Sequence, residues 1–349
     1  MYKRIAIVGA GAGGSTLAVH LAQLGLDVVL VELPGFTNRL ETIKRAQWRL
    51  ETYGMLDAHT TVRTGTWSAI KECDVVFVTT VADAHAKVAR LLADQMCESV
   101  KAVVYFPGNA GSLFLESVLK AREISHKPRL VEANSLPYGC RVDSENPCRL
   151  RVSVLTPKLL FSGDADHDPD LWKILTFLSP DSIGGGTVES TFLSNPNPLF
   201  HPTPCLLSAS RIELADGNFY MYTEGVIPSV LRVLQAKDAE RRRLLKAAKG
   251  RWMKWGELRG IVDVEGVHNE FEFLECGRRG NFRGPDSLEH RYIVEDTAAG
   301  LVSWERIGQI VKVETPIVSA EITLIGTLLH RNFRALGKER ADLIASCHA

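Results

Sequence analysis

The chain has 349 residues, with 41 Lys+Arg balanced by 41 Asp+Glu, 45% hydrophobic residues and 23% charged ones. At roughly 150 residues per domain, that length supplies two domain-sized cores, and a net charge of zero argues against a nucleic-acid or anionic-membrane partner. Seven cysteines without a CxxC pair fit reduced thiols in a cytoplasmic protein better than a disulfide framework or a zinc site. No apolar run approaches the ~20 residues of a membrane span. The run at 5–8, after Lys3-Arg4, is too short for the core of a signal peptide.

In chain order, residues 4–9 (RIAIVG) read as a buried strand ending at glycine, and 12–24 as a helix stopped by Gly25. DVVLVE (27–32) is the next strand, and Thr37 is an N-cap candidate for a helix running to Gly54. The alternation continues with DVVFVTT (74–80), a helix near 83–95, KAVVYF (101–106), a helix near 111–121 and RLVEA (129–133). RLRVSVL (149–155) and KLLFSG (158–163) read as further strands, and 168–178 as a helix. Wholly apolar strands separated by helices imply a doubly wound, Rossmann-type parallel sheet covered on both faces. The glycines of Ile183-Gly184-Gly185-Gly186 read as a linker. Expected domains are therefore a dinucleotide-binding unit at 1–185 and an all-helical unit at 186–349. Helices in the second unit are expected at 204–213, 228–249, 303–311 and 316–333. The run Glu240-Arg241-Arg242-Arg243, with Asp238 alongside, reads as a solvated helix face and not a basic patch. The apolar end helix is a candidate dimer contact or core cover.

Gly9-Ala10-Gly11-Ala12-Gly13-Gly14 follows the first strand and opens the first helix. There Gly9 permits a tight turn, Gly11 leaves room for a pyrophosphate, and Gly14 allows helix and strand to pack closely. The helix N-terminus, starting at Ala12, offers N–H donors. Glu32 ends the second strand, where it can accept the adenosine ribose hydroxyls and repel a 2′-phosphate. That favours NAD(H) over NADP(H); Arg39, seven residues on, either softens the preference or simply lies on an exposed helix face. Thr80, the segment Pro107-Gly108-Asn109, and Glu132 with Ser135 follow later strands and should face the same end of the sheet. The first two are cofactor candidates, the last two substrate candidates.

In the second half, NPNPLFHP (195–202), YMYTEG (220–225) and HRYIVED (290–296) stand out. By residue type alone, His201 is as readily structural as catalytic, and Arg291 with Asp296 reads as an ordinary ion pair. Together with GAGAGG, PGNAG and the VETPIV helix, however, these segments resemble the octopine/nopaline (opine) dehydrogenase family over nearly the whole chain. One departure is Thr80-Val81, where members often carry Val-Pro, and 251–283 shows little that matches. The resemblance implies an NAD(P)H-dependent oxidoreductase acting on CH–NH groups. An α-keto acid and the amino group of an amino acid would condense to an imine that is then reduced, without a metal. It implies His201 as general acid/base, Asp296 as its orienting carboxylate and Arg291 as the grip on a substrate carboxylate. Tyr222 and Glu224 would line the pocket, although Glu224, just before a glycine-bounded helix start, reads at least as readily as structural. Two other readings stay open: a related keto- or hydroxy-acid reductase of ketopantoate reductase type, and a nucleotide-binding regulatory protein.

Overall fold

The strand Arg4–Val8 (β1) carries four consecutive buried residues after an exposed first one, the pattern of a strand covered on both faces. It pairs in parallel with Asp27–Val31 (β2) on one side, and on the other the sheet grows through Val75–Val78 (β6). The computed structural model describes residues 2–251 and 283–347. Cys276 and most of the 251–283 stretch lie outside the described residues. The chain forms two compact units, Met1–Thr191 and Phe192–Ala349.

In the first unit, Ala12–Ala22 (α1) follows β1 and Asn38–Arg45 (α2) follows β2. Next come Arg49–Gly54 (β3), Ala58–Thr61 (β4), Arg63–Gly65 (β5) and, after β6, His85–Ala93 (α3). Ala102–Tyr105 (β7), Gly111–Ala121 (α4) and Arg129–Glu132 (β8) complete the main sheet. Its order is β5-β2-β1-β6-β7-β8, and every pairing is parallel. This is the doubly wound dinucleotide-binding arrangement, in which ligands are taken at the carboxyl ends of the strands. Ile5, Ile7, Val75, Phe77, Val104 and Tyr105 are fully buried. Each such side chain contributes about 1.5–3 kcal/mol on transfer from water, so the central strands are the rigid part of the unit.

Two stretches differ from the sequence expectation. The helix expected to reach Gly54 ends at Arg45 because Gln47 and Trp48 take φ of +55° and +60°. The next residues, RLETYG, become β3 of a second sheet ordered β4-β3-β10-β9, with Tyr138–Val142 (β9) and Arg149–Leu155 (β10). Helical propensity there yields to pairing partners distant in sequence, which local periodicity does not show. The glycine run at 183–186 is not a linker but a strand, Ile183–Gly186 (β12), paired in parallel with Leu160–Ser162 (β11). A side chain at Gly184 would meet the Asp166 carboxylate at 2.3 Å, and one at Gly186 the Phe161 carbonyl at 2.9 Å. Between the two strands lies Pro169–Leu178 (α5), capped by the Asp168 carboxylate accepting from the Leu171 N–H.

Among its described residues the second unit has helices and turns and no strand. Val188–Leu193 (α6) leads into Pro196–Phe200 (α7), Pro202–Leu207 (α8), Ala209–Leu214 (α9) and the long Pro228–Ala247 (α10). After the undescribed residues come the helix Arg291–Glu295, a wide π-type turn over Asp296–Leu301, and the helices Val302–Val311, Pro316–Leu328, Phe333–Leu336 and Lys338–Ser346. The charged run on α10 is only partly a solvated face. Asp238, Glu240 and Arg241 are 1–2% exposed, whereas Arg242 and Arg243 face solvent. The Glu240 carboxylate accepts from the Ile317 and Val318 N–H groups at 2.8 and 3.1 Å, capping the helix that starts at Pro316. Arg241 donates to Asp238 and to the Leu193 carbonyl. Among the described residues no helix is long and apolar enough to cross a membrane.

Gly14 and Gly11 separate packing from ligand space. A Cβ on Gly14 would lie 1.9 Å from the Gly9 carbonyl oxygen, while one on Gly11 would meet nothing within 4 Å. Gly14→Ala should therefore lower the thermal midpoint by several degrees, as an overpacking cost of about 1–3 kcal/mol implies. Gly11→Ala should leave the melt unchanged and weaken only dinucleotide binding, read by calorimetry on the same two variants.

Candidate active site

The loop from β1 to α1 is built around its own backbone. Gly9 has φ +106°, a conformation open to glycine, and the tight approach of Gly14 to its carbonyl locks helix to strand. Ser15 Oγ donates to the Ala10 carbonyl at 2.9 Å, and Thr79 Oγ1 to the Val8 and Gly9 carbonyls at 3.1 and 3.0 Å. Glu32 is turned back into this loop: Oε2 accepts from the Ala10 N–H at 2.7 Å and Oε1 from the Leu33 N–H at 2.8 Å. The carboxylate is half-buried and retains lone pairs for two further donors, as a ribose diol requires. Arg39 is not a solvent-facing helix residue. Its Nε donates to the Ala10 carbonyl at 3.3 Å, and its guanidinium also reaches the Pro147 carbonyl.

Three observations show that these residues fit a dinucleotide. The space over Gly11 is open, and the first turn of α1 directs its N–H groups out of the loop. The buried Thr80 hydroxyl, beyond the end of β6, has no hydrogen-bond partner; Gly13, on α1, instead packs against Leu136.

Glu132 occupies a different place from the one expected. It is fully buried and bound to the PGNAG loop, not presented to a substrate. Its Oε2 accepts from the Ala110 N–H at 3.0 Å, and its Oε1 from the Ser112 N–H at 2.8 Å and the Ser112 hydroxyl at 2.5 Å. A side chain on Gly108 would lie 2.3 Å from this carboxylate, so the glycine exists to admit it. Asn109 and Ala110 take φ of +48° and +56°, and the three N–H and O–H donors are what hold that turn. Pro107 begins this segment, and Ser135 lies half-buried three residues past Glu132.

In the second unit, Asn195 caps α7 by accepting from the Asn197 N–H at 2.9 Å, and Pro202 starts α8, so His201 falls at the junction of two short helices. His201 Nδ1 lies 2.7 Å from Asp296 Oδ2, with His201 6% and Asp296 9% exposed. Asp296 opens the π-type turn, whose Gly300 packs on Pro198: a Cβ there would meet the Pro198 ring at 2.5 Å. The Tyr292 ring stacks on the His201 imidazole, centroids 3.8 Å apart and planes 20° off parallel. Arg291 is exposed, 3.9 Å from Glu295, with its guanidinium 5.7 Å from the Tyr292 ring centroid. Burial pushes the Asp296 carboxyl up to about 8, against the pull of the Arg291 and Lys237 cations. A buried imidazole–carboxylate pair with one extra proton is neutral and without it carries a net negative charge, so burial favours the protonated pair. That proton belongs to the pair and not to either residue.

The other two pocket candidates are placed differently. Glu224 is bound within its own segment, Oε2 accepting from Arg211 Nε at 2.8 Å and Oε1 from the Tyr220 N–H at 2.9 Å. Tyr222 is half-buried on the same turn. Sequence reasoning missed Tyr292 as a ring partner, and it missed a buried trio, Lys237, Glu321 and Thr203. Lys237 is fully buried and donates to Glu321 Oε2 at 2.8 Å and to the Pro198 carbonyl at 3.1 Å; Thr203 donates to Glu321 Oε1 at 2.5 Å. The only local sign was an uninterrupted helical pattern that places a lysine among its apolar positions.

A Rossmann-type sheet whose glycine loop leaves open space over Gly11, joined to a helical unit with a buried histidine–carboxylate pair, defines a nicotinamide-dependent oxidoreductase. The helical-domain model of the NAD/NADP octopine/nopaline dehydrogenases matches residues 185–329, and the ketopantoate reductase PanE/ApbA model matches 5–106. An opine dehydrogenase of Arthrobacter sp. is 30% identical, the alignment covering 96% of this chain and 93% of the relative. The vitopine synthase of Allorhizobium ampelinum is 27% identical over 98% and 95%. Among solved structures, octopine dehydrogenase in complex with NADH and agmatine superposes with TM-score 0.73 at 17% identity, over 94% of this chain and 90% of that one. NADP+-bound yersinopine dehydrogenase superposes with TM-score 0.77 at 13% identity, over 99% and 98%. The chain belongs to the opine dehydrogenase family, and is an NAD(P)-dependent oxidoreductase acting on CH–NH groups.

Glu132→Ala distinguishes a loop anchor from a substrate ligand. Removing the buried acceptor strands the Ala110 and Ser112 donors, and should cost about 2–4 kcal/mol of stability in a denaturant titration. A change confined to substrate KM, at wild-type stability, would return Glu132 to the substrate site.

Proposed function

We propose that the protein joins an α-keto acid, with pyruvate as the default, to the amino group of an amino acid and reduces the resulting imine to a secondary-amine dicarboxylate, with NAD(H) favoured over NADP(H). The observation that carries this reading is the buried 2.7 Å contact between His201 and Asp296, with the exposed guanidinium of Arg291 on the adjoining helix turn. Condensation first gives a carbinolamine, whose hydroxyl must leave as water, and that departure needs a proton donor effective near neutral pH. The neutral, singly protonated His201–Asp296 pair is such a donor. Asp296 occupies Nδ1, so the proton is delivered from Nε2 to the departing hydroxyl, and the imidazole returns to a form that can accept one. The π-face of Tyr292 steadies the imidazolium.

Arg291 grips a substrate carboxylate with a bidentate pair of N–H bonds, which fixes the orientation of the C=N carbon. The open face over Gly11 and the helix start at Ala12 take the pyrophosphate, the turn being shaped by Gly9 and by the packing of Gly13 and Gly14, and Glu32 takes the adenosine ribose. Thr80 and the Pro107-Gly108-Asn109 turn lie at the nicotinamide end. When bound, the nicotinamide supplies the two electrons and hydrogen that reduce the C=N bond. Glu32 favours the unphosphorylated ribose, while the half-buried Arg39 guanidinium, whose Nη2 has no partner, pulls toward a 2′-phosphate.

The test is NADH consumption with pyruvate alone, with amino acids alone, and with pyruvate plus each amino acid in turn, repeated with NADPH. Turnover only with both partners is the expected result. Turnover with a keto acid alone would transfer the protein to the ketopantoate reductase type of reaction, which the match over 5–106 keeps in view. His201→Asn and Asp296→Asn should each lower kcat by about 100-fold or more while leaving NADH binding intact. Arg291→Gln should raise the KM of a carboxylate substrate about tenfold. Glu32→Ala should narrow the gap between NADH and NADPH affinities; an unchanged ratio would remove Glu32 from the ribose site.

A further inference from the structure

We infer that the buried Lys237–Glu321 ion pair is a positioning device that brackets His201 from both sides. The inference rests on the proton-transfer reading of His201 given above. Lys237 comes from α10 and Glu321 from the helix Pro316–Leu328. Lys237 holds the Pro198 carbonyl, three residues before His201, and Glu321 holds the Thr203 hydroxyl, two residues after it. The two carriers are themselves joined at 2.8 Å, with side chains 0% and 4% exposed. The junction between α7 and α8 is therefore closed by a continuous chain of contacts: Pro198, Lys237, Glu321, Thr203.

A salt bridge this deeply buried is weak evidence for stability, because desolvating both ions offsets most of their attraction. An apolar pair of the same volume would fill the space without that cost. What the ion pair supplies and an apolar pair does not is directional hold on a backbone carbonyl and on a hydroxyl. The segment it holds needs that precision, since Nδ1 of His201 must remain on Asp296 while Nε2 is left for the substrate. A side chain displaced by ~1 Å costs about 100-fold in rate.

Lys237 also has a second, electrostatic reach. The charged and titratable groups facing Asp296 are His201 from the α7–α8 junction, Arg291 from its own helix, Lys237 from α10 and the Cys205 thiol from α8. Around Lys237 stand Glu321 and Glu240. The Lys237 cation favours ionised Asp296. Removing it makes the His201–Asp296 pair hold its proton more tightly, so the limb on which imine formation and reduction fail with rising pH moves upward.

Lys237→Met, Lys237→Arg and Thr203→Val, compared with His201→Asn in the same assay, separate the outcomes. Lys237→Met should keep NADH binding and keep both KM values within about threefold, yet lose about 10- to 100-fold in kcat. Its alkaline limb should shift upward by roughly half a unit to one unit, and Lys237→Arg should recover part of both. Thr203→Val removes one hydrogen bond and no charge. It should lose several-fold in kcat with an unmoved limb, and it keeps the inference testable if Lys237→Met does not fold. Folded Lys237→Met and Thr203→Val with wild-type kcat and pH profile would overturn the inference, as would losses that only follow a lowered melting temperature. In either case an inactive His201→Asn leaves the reading of His201 standing. An active His201→Asn removes that reading itself.

Discussion

A carboxylate in a dry interior is the constraint around which the helical unit is organised. Asp296 is 9% exposed and has His201 Nδ1 at 2.7 Å, and a lone ionised carboxyl there would cost several kcal/mol. The surroundings answer that cost in several ways at once. The imidazole shares the proton, the Arg291 and Lys237 cations act at longer range, and the Tyr292 ring closes one face of the imidazole. The π-type turn gives Asp296 its position, and Gly300 allows that turn to lie on Pro198. Burial is what raises the proton affinity of the pair toward neutral pH, the property on which the proposed proton-donor role rests.

Elsewhere, half-buried and buried carboxylates do a simpler job by the same physics. Glu32 accepts from the glycine loop at Ala10, Glu132 from the PGNAG loop at Ala110 and Ser112, and Glu240 from the start of the Pro316–Leu328 helix. Loops and helix starts leave backbone N–H groups without partners, and a fixed carboxylate satisfies two of them with charge-assisted bonds. The cost is lowered because each carboxylate accepts at least two such bonds. This device explains why a glutamate at the end of a Rossmann strand is an ambiguous sign. Glu32 just beyond β2 and Glu132 at the end of β8 both sit at strand ends of the main sheet, yet of the two Glu32 alone is not fully buried.

The parallel sheet was legible in the chain because its strands are buried on both faces, so DVVLVE and DVVFV announce themselves without reference to partners. The second sheet was not. RLETYG has a helix-compatible composition and becomes β3 only through pairing with β4 and β10, the latter about a hundred residues away in the chain. IGGG likewise reads as a break until β11 supplies its partner. The charged run on α10 misled for the opposite reason: burial of Glu240 and Arg241 depends on which helices pack there, and charge patterning along one helix carries no trace of that.

Residue order by itself determined the doubly wound dinucleotide unit, the glycine loop with Glu32 and the helical second half, whereas the histidine and aspartate of the NPNPLFHP and HRYIVED segments were singled out by family resemblance and not by residue type. The first three features are local, since they rest on spacing along one strand, one helix start or one turn. Only the tertiary structure decided that His201 and Asp296, 95 positions apart, meet at 2.7 Å. It also decided that Tyr292 stacks on the imidazole, that Glu132 is a loop anchor, and that Lys237 and Glu321 close around the His201 turn. The physical reason is common to all of them: the environment of a charged side chain, and with it its proton affinity and its partners, is set by segments remote in sequence that arrive only when the chain is packed.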